Sequence, residues 1–185
     1  MKNKLLKSEI FLPFVDYNQI ESKKENITRI AILFLISIFV ASILLAYNYI
    51  LSSSNLNEFI EGYVSTEVDI IALLLSFSIA YLAILISSDN NSIKKLKEYK
   101  TDKEIDSKKV SLYKILLIQI TYTVYNEIVL LLSLLLHKFI MPVTPMSINI
   151  IIFVVNIVLL INILIIIFKN VKNVYLSFYS DAAEK

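Results

Sequence analysis

Glu127 is the residue whose type and position most demand a chemical account. It stands near the middle of a long apolar run, about three turns or more from either end. An ionised carboxylate in hydrocarbon costs about 3 kcal/mol or more. The group must therefore be protonated, paired or wetted from a cavity. Gln119 and Thr123 precede it by eight and four positions and share its face of a helix. Asn126, Tyr122 and Tyr125 widen that face into a polar sector. Such a sector can line a pore, carry a proton or hold a ligand. It can equally supply the interhelical hydrogen bonds that fix packing or oligomer state. Asn149 and Asn156, seven positions apart in the following run, are the expected partners of Glu127, whereas Asn162 points elsewhere. Apart from Lys114 at the edge of the third run, no Lys or Arg lies inside the apolar runs to neutralise the carboxylate.

Composition excludes most other chemistry. The chain has no cysteine, one histidine (His137) and one glycine (Gly62). Thiolate zinc sites, disulfide frameworks and cysteine nucleophiles are ruled out. An all-protein metal site is not expected, nor is a phosphate-cradling glycine loop or a GxxxG helix contact. No set of residues resembles a hydrolytic triad or a pair of intramembrane aspartates. The expectation is a protein that is not an enzyme and needs no metal or cofactor. A net charge of +2 argues against direct nucleic-acid binding. The abundance of Ile, Lys and Asn, with a single Arg, points to a low-GC bacterium or its phage.

The elements that must position Glu127 are membrane-spanning helices. Hydrophobic residues make up 57% of the chain, above the roughly 45–50% of soluble domains. They fall in four runs, at about 30–51, 68–87, 112–136 and 148–168. Each is long enough to cross about 30 Å of hydrocarbon as a helix. The runs are continuously apolar and do not alternate, which favours helices over barrel strands. The expected fold is all-α: four transmembrane helices between a tail at 1–29 and a tail at 169–185. In the first tail Leu5, Leu6, Phe11, Phe14 and Val15 form an apolar patch that either lies in the membrane interface or covers the end of the bundle.

Basic residues set the orientation. Seventeen of the 18 Lys and Arg residues fall in the two tails and the connection at 88–111, with Lys114 just beyond it, and only Lys138 falls on the other side. The positive-inside rule then places both termini in the cytoplasm of a bacterial plasma (inner) membrane. The outer connection 52–67 is Ser- and Asn-rich and acidic (Glu58, Glu61, Glu67), and is long enough for a short surface helix. Pro142 and Pro145 stop the third helix and stiffen the second outer turn. In the inner loop Ser92 is placed to cap a helix with Ile93, Leu96 and Tyr99 on one side. Spans two and three are expected to project as helices beyond the membrane, and Val171, Val174, Tyr175 and Phe178 predict that the fourth helix continues through the last tail.

Ala72, Ser76 and Ala80 form a stripe of small residues on the second span, a packing seam within the chain or between copies. Ser37 and Ala41, then Ser42 and Ala46, form shorter stripes on the first span, expected to pack within the chain. Lys94, Lys95, Lys97, Lys108 and Lys109 can meet anionic lipid heads or a cytosolic protein, the lipid reading being weakened by five acids in the same loop. His137 is expected as a solvated histidine at the outer interface.

The layout resembles the small four-helix membrane proteins of bacterial anti-phage operons, such as the membrane subunit of Kiwa systems. The basic N-terminal tail carries this resemblance, together with "DIIALLLSFSIAYLAILISSDN" in the second span, "SIKKLKEYKTDKEIDSKK" in the inner loop and "QITYTVYNEIVLLL" in the third. It covers the whole chain as architecture and transfers no site. It implies a membrane sensor or effector, homo-oligomeric, acting with a cytosolic partner encoded beside it. The residues leave two alternatives: a small channel or transporter subunit conducting at Glu127, and a scaffolding subunit of a larger membrane complex.

Overall fold

A computed structural model describes residues 11–50, 53–88 and 91–183. The described chain is all-α apart from one hairpin. Helices α1 (Leu12–Ile20), α2 (Lys23–Ile50), α3 (Ser53–Ser87) and α4 (Asn91–Glu98) come first. Strands β1 (Lys100–Ile105) and β2 (Lys108–Ser111) follow, then α5 (Leu112–Ile140), a 3-10 turn at Met141–Val143, and α6 (Met146–Ala183). Four helices are long and apolar enough to cross a membrane: Lys23–Tyr47, Leu56–Ser87, Leu112–Val143 and Met146–Tyr175. The third has the lowest mean hydropathy, 1.7 against 2.6 to 3.3, and is the most enclosed. Within the most apolar window of each helix, 56% of α5 is buried, against 6% of α2, 17% of α3 and 28% of α6.

The helices run further than their apolar cores. α2 begins at Lys23, seven residues before the expected start, because Ser22 and Glu25 form a capping box. The Glu25 N–H donates to Ser22 Oγ at 3.2 Å and the Ser22 N–H to Glu25 Oε2 at 3.1 Å. The connection at 52–67 is not a surface loop: from Ser53 onward it is the first half of α3. The reason is a buried face recurring at helical spacing, formed by Leu56, Ile60, Val64, Glu67 and Ile71. Glu58 and Glu61 lie on the exposed side of the same turns. α6 continues through the C-terminal tail to Ala183. Of its expected apolar stripe, Val174 packs inward while Val171 and Tyr175 are exposed; the Phe178 side chain lies outside the described residues.

The connection at 88–111 departs from expectation in two respects. α4 forms, and Ile93 and Leu96 are buried beneath it, although Tyr99 is 60% exposed. The expected cap at Ser92 rests on a side chain outside the described residues. The remaining stretch is a β-hairpin, not helix or coil. Its turn residues Asp106 and Ser107 both have positive φ, 50° and 62°, as a two-residue turn joining twisted antiparallel strands requires. Thr101 Oγ1 donates to the Val110 carbonyl at 2.9 Å, and Ile105 and Val110 are buried.

The chain divides into two compact units, one of residues 1–27, 78–125 and 165–185 and the other of residues 28–77 and 126–164. Unit 1 has two apolar clusters. In one, Tyr17 and Ile20 of α1 meet Ile105, Val110, Ile118 and Tyr122. In the other, Leu85 of α3 meets Ile93, Leu96, Leu116 and Ile120. Unit 2 buries Leu56, Ile60, Ile71, Leu130, Leu134 and Phe153 almost completely. Its Phe153 ring receives Tyr63 edge-on, with centroids 4.9 Å apart.

The left-handed turn yields a prediction. An L-residue there costs about 1–2 kcal/mol that glycine does not incur, partly offset by glycine's greater chain entropy. Ser107→Gly should raise hydrogen-exchange protection of the hairpin amides several-fold, and Ser107→Val should lower it. Equal protection in both variants would contradict the turn geometry.

Candidate functional site

All four residues of the expected polar sector are buried: Gln119 at 3% exposure, Thr123 at 0%, Asn126 at 7% and Glu127 at 0%. The division between units falls along α5 between Tyr125 and Asn126, so each pair is described within its own unit. In unit 1 the Thr123 hydroxyl donates to the Gln119 carbonyl at 2.9 Å, and Gln119 Oε1 accepts from Asn173 Nδ2 of α6 at 2.9 Å. Asn170, one turn earlier on α6, is 5% exposed, and neither polar atom of its amide has a hydrogen-bond partner. Of these contacts the one between Gln119 and Asn173 joins two helices, as interhelical packing bonds do. Asn126 and Glu127 are the first residues of unit 2 along α5.

The amides expected to serve Glu127 are used elsewhere. Asn149 Nδ2 donates to the Met141 carbonyl at 3.3 Å, and Thr144 Oγ1 donates to Asn149 Oδ1. Together they close the turn that Pro142 and Pro145 begin. Asn156 Oδ1 accepts from Ser133 Oγ at 2.6 Å, and its Nδ2 lies 3.4 Å from His137 Nδ1. Neither amide hydrogen-bonds Glu127. Asn162 is buried at 8%. Which helix faces meet depends on rotation and height, and seven-residue spacing fixes only that two side chains share a face.

Three residues have a different place from the one their sequence position implied. His137 is fully buried, not a solvated interface residue. Its Nδ1 faces the Asn156 amide, and its Nε2 has no hydrogen-bond partner. Glu67 is 2% exposed, and neither carboxylate oxygen accepts a hydrogen bond. The signal that locates Glu67 is its register in the stripe of Leu56, Ile60, Val64 and Ile71. Arg29 is also buried, at 8%, as part of α2 and not of a solvated tail. Unit 2 thus encloses Arg29, Glu67, Glu127 and His137, four of its few polar titratable side chains.

The small-residue stripes differ from each other. Ala72, Ser76 and Ala80 are all exposed, so this stripe is not a seam within the chain. Ser37 and Ala41 are half-buried and line an apolar groove of about 560 Å³ with Ile151, Val155 and Leu159 of α6. The five lysines Lys94, Lys95, Lys97, Lys108 and Lys109 are exposed. Lys97 Nζ lies 5.3 Å from the centre of the Tyr113 ring, and Lys109 pairs with Asp102 at 3.6 Å. Asp16, on α1, is partly buried. That desolvation pushes its carboxyl pKa up against the pull of Lys114.

Comparison with protein families, with curated proteins and with solved structures finds no match to this chain.

The buried groups of unit 2 behave oppositely on replacement. Removing a buried polar group that lacks partners relieves its desolvation cost, whereas removing a shared partner strands two others. Glu67→Leu should therefore raise stability in detergent by about 1–3 kcal/mol, and Asn156→Leu should lower it by about the same amount. Thermal unfolding followed by circular dichroism reads both. A loss of stability in Glu67→Leu would show that this carboxyl has a partner.

Proposed function

We propose that the chain is a non-enzymatic sensor or effector of a bacterial plasma membrane, acting as a homo-oligomer with a cytosolic protein and with both termini in the cytoplasm. Unit 1 is the observation that carries this reading. It has apolar clusters of its own, and it is assembled from the N-terminal segment, the connection at 88–111 and the ends of four long helices. A passive anchor has no need of such a module. Its segments hold 16 of the 18 basic residues, all but Arg29 and Lys138. That is the side the positive-inside rule assigns to the cytoplasm. The exposed stripe of Ala72, Ser76 and Ala80 supports self-association, because small side chains let helices approach closely in lipid. The likeness of layout to anti-phage membrane subunits supports phage infection as the stimulus.

A second reading, a channel or transporter subunit, is favoured by Glu127 and Glu67, carboxylates buried in unit 2. The two readings separate in one pair of experiments. Changing Lys94, Lys95, Lys97, Lys108 and Lys109 together to Gln should abolish protection in a phage-challenge assay of the native operon, at unchanged membrane levels. It should also reduce recovery of the neighbouring gene product on the tagged chain at least tenfold. Proteoliposomes containing the natural chain should show no ion flux above background. Flux that disappears in Glu127→Gln would overturn the proposal in favour of conduction. Undiminished protection and recovery in the lysine variant would overturn the partner surface.

A further inference from the structure

Helix α2 is held by little protein. Among its described residues only Arg29 and Leu44 are buried, and 6% of its most apolar window is enclosed. Within unit 2 an open groove of about 560 Å³ separates α2 from α6. Ser37 and Ala41 form the α2 side, one turn apart and half-buried. Ile150, Val154 and Val158 of α6 face them, also at four-residue spacing. The groove exists because positions 37 and 41 carry side chains too short to reach across it.

Its dimensions decide what fits. The lining runs along α6 from Ser147 to Leu159, a rise of about 18 Å. Spread over that length, the volume gives a mean cross-section of about 30 Å². A helix with its side chains is about 10–12 Å across and needs about 80–110 Å². A helix of a second copy therefore does not enter. An extended hydrocarbon chain, whose carbons pack at about 4 Å, needs about 20 Å². The length agrees as well, since one leaflet of the hydrocarbon core is about 15 Å deep.

The walls exclude water. Ser37 Oγ donates to the Phe34 carbonyl of its own helix at 2.7 Å, so its hydroxyl is already engaged. A water in the groove needs two or more polar partners, and the facing Ala, Ile and Val side chains supply none. Left unfilled, the groove would cost its walls their dispersion contacts. Both helices that form it are long and apolar enough to span a membrane, so hydrocarbon is the medium it opens to. Ser147 stands at the start of α6, next to the turn at Met141–Val143, and marks the end through which a chain enters.

We infer that this groove binds one acyl chain of a bilayer phospholipid, drawn from the leaflet on the side of the Met141–Val143 turn, and that the chain packs α2 against α6. The lipid supplies the contact that α2 lacks from protein. It stabilises the folded chain by mass action, as any ligand of the native state does. The inference rests on the spans and the groove and not on the sensor reading, so either can fail without the other.

The test takes the full chain into detergent from bilayers of dioleoyl phosphatidylglycerol and counts retained lipids by native mass spectrometry. The natural chain should keep one phospholipid through washing that strips the rest. Ser37→Leu with Ala41→Leu fills the groove with side chains and should lower the lipid-bearing fraction at least tenfold. Added phosphatidylglycerol should raise the Tm of the natural chain in detergent and leave that of the filled variant unchanged. Equal retention in the two chains overturns the site, because lipid then coats the whole surface alike. A dimer kept by the natural chain and lost by the filled variant would assign the groove to side chains of a second copy and overturn the lipid. Should the filled variant fail to fold, the natural chain in nanodiscs gives the answer, with a phospholipid carrying a nitroxide on its acyl chain. Methyl signals of Val154 and Val158 should broaden at least tenfold lower in label content than those of Leu35 and Ile43, which lie on the open face of α2. Broadening at the same label content overturns the site.

Discussion

Hydrocarbon offers no hydrogen bonds, so a helix carrying polar side chains must turn them toward protein or water. In this chain α5 carries Gln119, Thr123, Asn126, Glu127 and His137, and all five are buried. The polar residues and the burial have the same cause: a helix of this composition is driven inside, and more apolar helices take the exposed positions. α2 is the opposite case, with Phe34, Leu35, Phe39 and Leu45 all more than half exposed. Those side chains gain nothing from protein that lipid does not already give them.

That constraint also orders the rest of each unit. In unit 1, Gln119 reaches Asn173 of α6, while Tyr122 and Tyr125 receive the aromatic residues of α1. In unit 2, Ser133 and His137, one turn apart on α5, share Asn156 of α6. α5 therefore supplies partners in both units.

Much of this was legible in the residues, and what was not has identifiable physical causes. Four spans follow from run length alone, and the burial of Glu127 and its neighbours follows from desolvation cost. The start of α2 was written in Ser22 and Glu25, but hydropathy cannot register a cap made of polar atoms. Glu67 was obscured in the same way: an acidic, Ser- and Asn-rich stretch reads as loop until the helical spacing from Leu56 to Ile71 is counted. The hairpin had weaker signals, since its strands are mostly charged and its turn is Asp106–Ser107, without glycine. The partners of Asn149 and Asn156 were beyond reach for another reason. Spacing along one helix says nothing of its height and rotation against the next.

The polar side chains of α5 keep that helix enclosed by protein, while α2 lies open to lipid. Nitroxide labels at single cysteines, introduced one at a time into this cysteine-free chain in lipid bilayers, test it through relaxation by dissolved oxygen. Along α5 the account predicts a helical oscillation, with low accessibility at Leu130, Leu134 and His137 and high accessibility at Leu132, Leu136 and Phe139. Along α2, from Ile32 to Leu45, accessibility should be high at most positions. Uniformly high accessibility on α5, or a more protected α2, would contradict the account.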